Sequence, residues 1–344
     1  MKILFLRERI PWFGAHSGYE QLPKHLPAEQ QAWTLKPREG RAARYLGSAY
    51  ARARGRIGRG ATSLSELEFR LCRRFRQPDA SHILYVENHF ELLHACSRSR
   101  PDMVGTVHLP PSVWSPEQCQ LLSRLNRAIV MYQRDLEFFE QHVGPRCVRF
   151  VPHGVDTEFF KPDFSKPAAP PRILYGGVYL RNEPMLVRVV NRLAEMNPEL
   201  RFDLLVPEHR RKSPALGPLL THPAVSWHCG LDDDQLRALY QQSQLMLLPM
   251  CDSGANTAVV ESLASGLPVV TTDVGGIRDY GGGTVFPVVE NNDDDGMIAL
   301  LEKYLEKSGW RDEMSRRCRA FAETELAWPL IARRHAEIYR EMAR

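Results

Sequence analysis

Glu261 is the single carboxylate inside an otherwise apolar helix, in the stretch from Asp252 to Gly276, DSGANTAVVESLASGLPVVTTDVGG. The stretch reads as turn, helix, glycine stop and strand. Its neighbours Ala258, Val259, Val260, Leu263 and Ala264 mark the helix as buried on nearly every side, so the carboxylate needs a polar partner. Two kinds of partner suit it: a pair of ligand hydroxyls, or an internal backbone group or arginine. The helix opens near Gly254, Ala255, Asn256 and Thr257, where free N–H groups and the positive end of the dipole suit a phosphate; Gly266 supplies the C-terminal stop. An anion and a polyhydroxyl group would then lie side by side.

The elements that must hold these residues alternate between strand and helix. In the back half, strands are predicted at Ile173 to Tyr175, Phe202 to Val206, Val225 to His228, Leu245 to Leu248 and Val269 to Thr271. Helices fall between them, one after Pro184 with Leu186, Val189, Val190 and Leu193 on one face, others at about 234 to 242 and 256 to 265. Such alternation implies a parallel sheet with right-handed crossovers. In the front half, Lys2 to Leu6 reads as a strand, followed by a loop with Gly14 and Gly18 and a helix interrupted by Pro23. Residues 36 to 62, rich in Arg, Ala and Gly, are expected to be partly mobile; Ser65 to Arg76 reads as helix, and Ile83 to Val86, Val104 to Val107 and Ala128 to Tyr132 as strands. His108 precedes two prolines that force an extended exit, which puts it at the C-terminal end of a strand, where open α/β sheets bind ligands.

The 344 residues suffice for two α/β domains, placed at 1–155 and 172–328 with a proline-rich linker at 156–171. The final helix, after Pro329, is long enough to return residues 329–344 to the first domain. Composition is that of a soluble globular chain, and no apolar run approaches bilayer length. The first residues carry too many charges for a signal peptide, and seven scattered cysteines without CxxC spacing argue for reduced thiols; the expected location is cytoplasmic. Residues 1 to 150 hold 23 Lys/Arg against 14 Asp/Glu, and the remainder 22 against 27, so the front half is +9 and the back half −5. Much of the excess lies between Lys36 and Arg76, including Arg38, Arg41, Arg44, Arg52, Arg54, Arg56, Arg59, Arg73 and Arg74. Such a run is either a solvated face or a surface for an anionic membrane or phosphorylated acceptor, giving peripheral attachment at the inner membrane face. Nucleic acid is not expected, since no interleaved aromatics or zinc spacing accompany the charge. The two aspartate runs, Asp232 to Asp234 and Asp293 to Asp295, each precede a helix and read as caps; no HExxH or paired CxxC motif predicts a metal.

The segment PHGVDTEFFKP (152 to 162) and the block VVESLASGLPVVTTDVGG (259 to 276) resemble the family 4 glycosyltransferases of the GT-B fold, across most of the chain and most closely in its back half. The resemblance implies two Rossmann-like domains facing across a cleft, a nucleotide sugar held mainly by the second, and metal-independent transfer with retention of anomeric configuration. It puts Glu261 on the donor ribose hydroxyls. The first glutamate of the family's E-x7-E motif falls at Ser253, with Asp252 one residue earlier as the nearest carboxylate and the amides of Gly254 to Thr257 as the other means of holding the sugar. The family's diphosphate-binding Arg and Lys fall near Val178 and Glu183, so Arg181 is the expected substitute, with Arg210, Arg211 and Lys212 as further candidates against a solvated-surface reading. His108 matches a position that faces the donor sugar, Gly14 and Gly18 the glycine-rich first loop, and Gly230 with Leu231 the resting place of the base. The function implied is hexose transfer from a UDP- or GDP-sugar to a hydroxyl acceptor in glycolipid, polysaccharide or small-glycoside synthesis. The departures at Ser253 and at the Arg/Lys pair keep a catalytically silent nucleotide-sugar sensor or partner subunit as the alternative. An epimerase lacks a suitable pair of acid and base carboxylates.

Overall fold

The computed structural model describes residues 1–8, 10–55, 60–95, 102–163 and 170–342. Arg56 and Arg59 of the basic run, and 164–169 of the expected linker, lie outside the described residues. The chain divides into two compact units: Met1–Pro11, Tyr19–Pro152 and Pro329–Arg344 form the first, Trp12–Gly18 and His153–Trp328 the second.

The first unit holds, in chain order, β1 (Lys2–Leu6), β2 (Gln31–Leu35), α1 (Arg41–Ala53), α2 (Ala61–Arg76), β3 (Ala80–Ile83), α3 (Phe90–His94), β4 (Asp102–Val107), α4 (Pro116–Leu121), β5 (Arg127–Val130), α5 (Leu136–Val143) and β6 (Val148–Phe150). Its sheet runs β2-β1-β3-β4-β5-β6, parallel throughout. Ile3, Leu4, Phe5 and Leu6 of β1 are all buried, as a strand covered on both faces requires. Within the Arg-, Ala- and Gly-rich segment, Arg41–Ala53 forms a helix that the sequence left unassigned. One expectation is corrected here. The strand expected at Ile83 to Val86 lies earlier, at Ala80–Ile83, because the buried polar residues of β3 find partners: His82 bonds Thr106 Oγ1 at 2.7 Å and Tyr339 Oη at 2.6 Å.

The second unit contains β7 (Arg172–Gly176), α6 (Glu183–Met196), β8 (Arg201–Leu205), α7 (Glu208–Arg211), β9 (Val225–His228), α8 (Asp233–Gln242), β10 (Leu245–Leu248), α9 (Thr257–Ala264), β11 (Val269–Thr272), β12 (Val288–Val289), α10 (Asp294–Glu306) and α11 (Ser308–Phe321). Its parallel sheet is ordered β12-β11-β10-β7-β8-β9. Asn182 caps α6 by accepting from Met185 N–H at 3.0 Å, and Met185, Leu186, Val189, Val190 and Leu193 enter the core. Asp232 forms a capping box with Gln235 at the start of α8, and Asp293 accepts from Gly296 N–H at 2.9 Å at the start of α10, so both aspartate runs cap helices. The last helix, α12 (Trp328–Met342), starts in the second unit and continues in the first, where His335 and Tyr339 bond Tyr19 and His82. Among the described residues no helix is long and apolar enough to cross a membrane.

Candidate nucleotide-sugar site

From β7 the second unit's chain builds β8 and β9 on one side, then crosses over to build β10, β11 and β12 on the other, so the strand order reverses between β7 and β10. Loops leaving the carboxyl ends of two such strands diverge and open a crevice. At this point the backbone is laced together: Arg181 and Met250 form an antiparallel bridge, Cys251 N–H donates to Leu180 O at 2.9 Å, and Asn182 N–H to Pro249 O at 2.9 Å. A Cβ on Gly176, at the end of β7, would lie 3.9 Å from Ala258 in the first turn of α9.

The start of α9 has no side-chain cap. Asn256, the residue placed to cap it, turns away: its Nδ2 donates to Met250 Sδ at 3.1 Å and its Oδ1 accepts from Arg181 Nη2 at 3.4 Å. The first N–H groups of α9 therefore remain a donor set for an anion, with a guanidinium beside them. Arg181 is held there by Gly176 O (3.0 and 2.9 Å) and Tyr179 O (2.9 Å), and no carboxylate pairs with it among the described residues. Burial is the main cause that lowers its affinity for its proton; the neighbouring Tyr175 and Tyr240 act the other way. A half-buried cation without an acid partner among the described residues suits a ligand anion.

One turn further along α9 lies Glu261, 4% exposed. Its Oε2 accepts from Tyr240 Oη at 2.9 Å, while Oε1 has no partner in hydrogen-bond geometry among the described residues. Of the internal partners left open by the sequence, neither a backbone group nor an arginine takes this carboxylate among the described residues. A tyrosine hydroxyl supplies one internal bond, and the Ser17 side chain acts on the carboxylate without placing Oε1 in hydrogen-bond geometry. Burial raises the carboxyl to about 7, opposed by Ser17 and Tyr240, which favour the charge, and reinforced by Asp233. Sequence reasoning missed Tyr240; the available signal was a tyrosine on the inward face of α8, whose buried hydroxyl must find a partner.

The turn before α9 is clamped from below. Ser253 is buried, with Oγ donating to Gly254 O at 3.1 Å and N–H to Asp252 Oδ1 at 2.8 Å. Gly276 N–H donates to Ser253 O at 2.7 Å. Gly275, at φ 57°, sits so close that an added Cβ would fall 2.1 Å from Ser253 O. Gly254 and Asn256 are buried, and Ala255 and Thr257 half-buried.

The segment Trp12–Gly18 packs in the second unit too. Ala15 N–H donates to Asp233 Oδ2 at 2.7 Å; His16 Nδ1 meets Asp156 Oδ2 at 2.7 Å and its ring stacks on Phe159 at 3.8 Å. A Cβ on Gly14 would fall 1.9 Å from Asp233 Oδ1, and Gly18, at φ 77°, leads the chain away. Ser17, 2% exposed, is thereby brought to Glu261. The structure thus gathers Gly14, Gly18, Arg181, Asp252, Ser253, Gly254 to Thr257 and Glu261 within the second unit. Gly230, at φ 63° with open space around it, and Leu231 lie beyond the end of β9. Lys212 is exposed at the end of α7; Arg210 acts electrostatically on Tyr175, as Arg181 does, whereas Arg211 bonds Val206 O at 3.0 Å. His108 belongs to the first unit, at the end of β4, with Nε2 on Leu84 O at 2.7 Å and its ring stacked on Tyr85 at 4.3 Å. Glu87, raised by burial to about 7, accepts from the N–H groups of His108 and of Leu109, the latter at 2.9 Å. Among the described residues no cluster of three or more His, Cys, Asp or Glu is placed to hold a metal ion.

Residues 170–307 match the family model described as glycosyl transferases group 1. The chain is 26% identical over 203 residues to an MMP alpha-(1->4)-mannosyltransferase of Mycolicibacterium hassiacum, covering 57% of this chain and 49% of that protein. It is 24% identical over 245 residues to a D-inositol 3-phosphate glycosyltransferase of Nocardiopsis dassonvillei, covering 64% and 57%. The chain thus spans about half the length of the curated relatives it matches. Among solved structures, sucrose-phosphate synthase from Thermosynechococcus elongatus superposes with a TM-score of 0.76 at 16% identity, covering 99% of this chain and 98% of that one. Anabaena Alr3699/HepE in complex with UDP-glucose gives 0.75 at 15% identity, covering 99% and 100%. The fold is that of these GT-B proteins, two parallel six-stranded sheets flanked by helices.

Proposed function

We propose, from the premise that this chain has the GT-B fold, resembles glycosyltransferase family 4 and carries a group 1 glycosyltransferase segment over 170–307, that it is a retaining hexosyltransferase using a nucleotide-sugar donor. One observation carries the reading: an uncapped helix start, a half-buried guanidinium with no acid partner among the described residues and a half-satisfied carboxylate meet at the point where the second sheet reverses its strand order. The first two suit a diphosphate and the third suits a ribose hydroxyl. A hydrogen bond to a charged group contributes roughly 1.5–3 kcal/mol, so Glu261 alone would set much of the donor selectivity. The Anabaena neighbour's complexes with UDP and glucose and with UDP-glucose support a uridine nucleotide before a guanosine one.

During transfer the developing charge on the leaving diphosphate would be met by Arg181 and the first N–H groups of α9, fixed before the reaction begins. Ser253 falls at the motif position of the family's first glutamate, Asp252, one residue earlier, would be the nearest carboxylate, and His108 would position the sugar. The acceptor is a hydroxyl compound of glycolipid, polysaccharide or small-glycoside type. Incubation with UDP- and GDP-hexoses tests this: slow hydrolysis without acceptor, and transfer when a hydroxyl acceptor is added, are expected.

Ser253 favours a second reading. Its Oγ is buried and bound to a carbonyl, so it supplies no carboxylate. A chain that binds the donor by calorimetry yet neither hydrolyses nor transfers it would be a nucleotide-sugar sensor or partner subunit.

A further inference from the structure

The helices α1 and α2 turn large apolar side chains outward. A surface helix normally points such residues at the core. In α1 the inward stripe is Ala43, Gly47 and Ala51, small enough that a Cβ on Gly47 would fall 1.8 Å from Gly60 O. Tyr45 and Leu46 are 68% and 56% exposed on the opposite side. In α2, Phe69 is buried whereas Leu71 and Phe75 are 46% and 77% exposed, one turn apart on one stripe. The charge around them has one sign. Between residues 41 and 76 the sequence has ten arginines against two glutamates, a net +8. Neither glutamate faces outward alone, since Glu66 holds the buried His89 at 3.0 Å and Glu68 pairs with Arg38 at 2.8 Å.

We propose that α1 and α2 dock this chain on an anionic lipid bilayer, with Tyr45, Leu46, Leu71 and Phe75 entering the headgroup layer while exposed arginines such as Arg41, Arg52 and Arg74 meet lipid phosphates. Positive charge alone would suit any polyanion. The apolar residues select lipid, because Leu46 and Leu71 have nothing to stack on in a nucleic acid but gain by leaving water in an acyl boundary. The proposal rests on the first unit alone, so donor binding by the second unit serves as a separate control.

The test is sedimentation of the full chain with vesicles of phosphatidylcholine, alone or mixed with phosphatidylglycerol. Binding is expected only to the anionic vesicles and should weaken as salt is raised. Arg41→Glu, Arg52→Glu and Arg74→Glu together should abolish it, at about fivefold or more per arginine. Leu46→Ser with Phe75→Ser should weaken it at least about tenfold with the melting temperature kept, because both side chains are already in water. Tyr45→Ser with Leu71→Ser provides an independent second pair. The proposal is overturned if the wild type ignores anionic vesicles, or if both serine pairs bind them as tightly as the wild type. Binding to a single-stranded oligonucleotide more tightly than to vesicles would also overturn it.

Discussion

Tyr240 gives Glu261 half of what a buried carboxylate requires, and the other half defines the residue's pH behaviour. With its carboxyl raised from 4.5 to about 7, the folded chain keeps a proton that the unfolded chain releases between those values. Stability therefore falls as pH rises through that window, and the cost, on the order of 3 kcal/mol, is complete above it. Glu261→Gln should remove this contribution, so the variant's unfolding free energy should gain on the wild type as pH rises from 4.5 to 7; a difference independent of pH would refute the assignment. Donor affinity should move in the opposite sense, because only the ionised carboxylate can accept from both ribose hydroxyls. The dissociation constant is expected to rise about tenfold per pH unit below the native value. Calorimetry should also show Glu261→Ala weakening the donor at least about tenfold, and an unchanged affinity would remove the ribose role. The carboxylate and its helix were legible in the sequence because an acid is costly to bury without cause, whereas Arg181 was named only through the family resemblance. Tyr240 and Ser17 were not, since each lies far along the chain and only the tertiary fold brings it to Glu261.

Gly275 shows how one element positions the next. Any side chain there meets the Ser253 carbonyl in a backbone region with positive φ, so Gly275→Ala should shift the turn before α9, where the proposed donor would bind. Donor binding should be lost while the sheet signal in circular dichroism stays. Retained affinity would show that the turn does not depend on this loop. Most elements of the second unit could be read from the sequence, because β7, β10 and β11 are built on short apolar runs, at 173–175, 245–248 and 269–270, and β8 is apolar apart from Arg201 and Asp203. The edge strands β2, β6 and β12 were missed, being short and only partly buried, so pairing rather than local pattern defines them. Helix α1 escaped for a different reason: its inward stripe is Ala43, Gly47 and Ala51, small residues that give little apolar signal amid the surrounding arginines, and a mid-helix glycine reads against helix.

For the molecule as a whole, a nucleotide-sugar donor at a hundred times its dissociation constant should raise stability by about 2.7 kcal/mol, so a thermal-shift panel of UDP- and GDP-sugars ranks the candidates in one experiment. A panel without any shift would count against a donor site of useful affinity. The chain passes between its two units four times, at residues 11–12, 18–19, 152–153 and 328–329. Cutting it once, between the halves, therefore amputates something from each piece. The amino-terminal fragment loses Tyr339 and His335, and with them one hydrogen-bond partner each for the buried imidazole of His82 and the phenol of Tyr19. The carboxyl-terminal fragment loses Ser17 and uncovers its own acid. Neither piece is expected to reach native solubility when produced by itself, and mixing the two should rescue both.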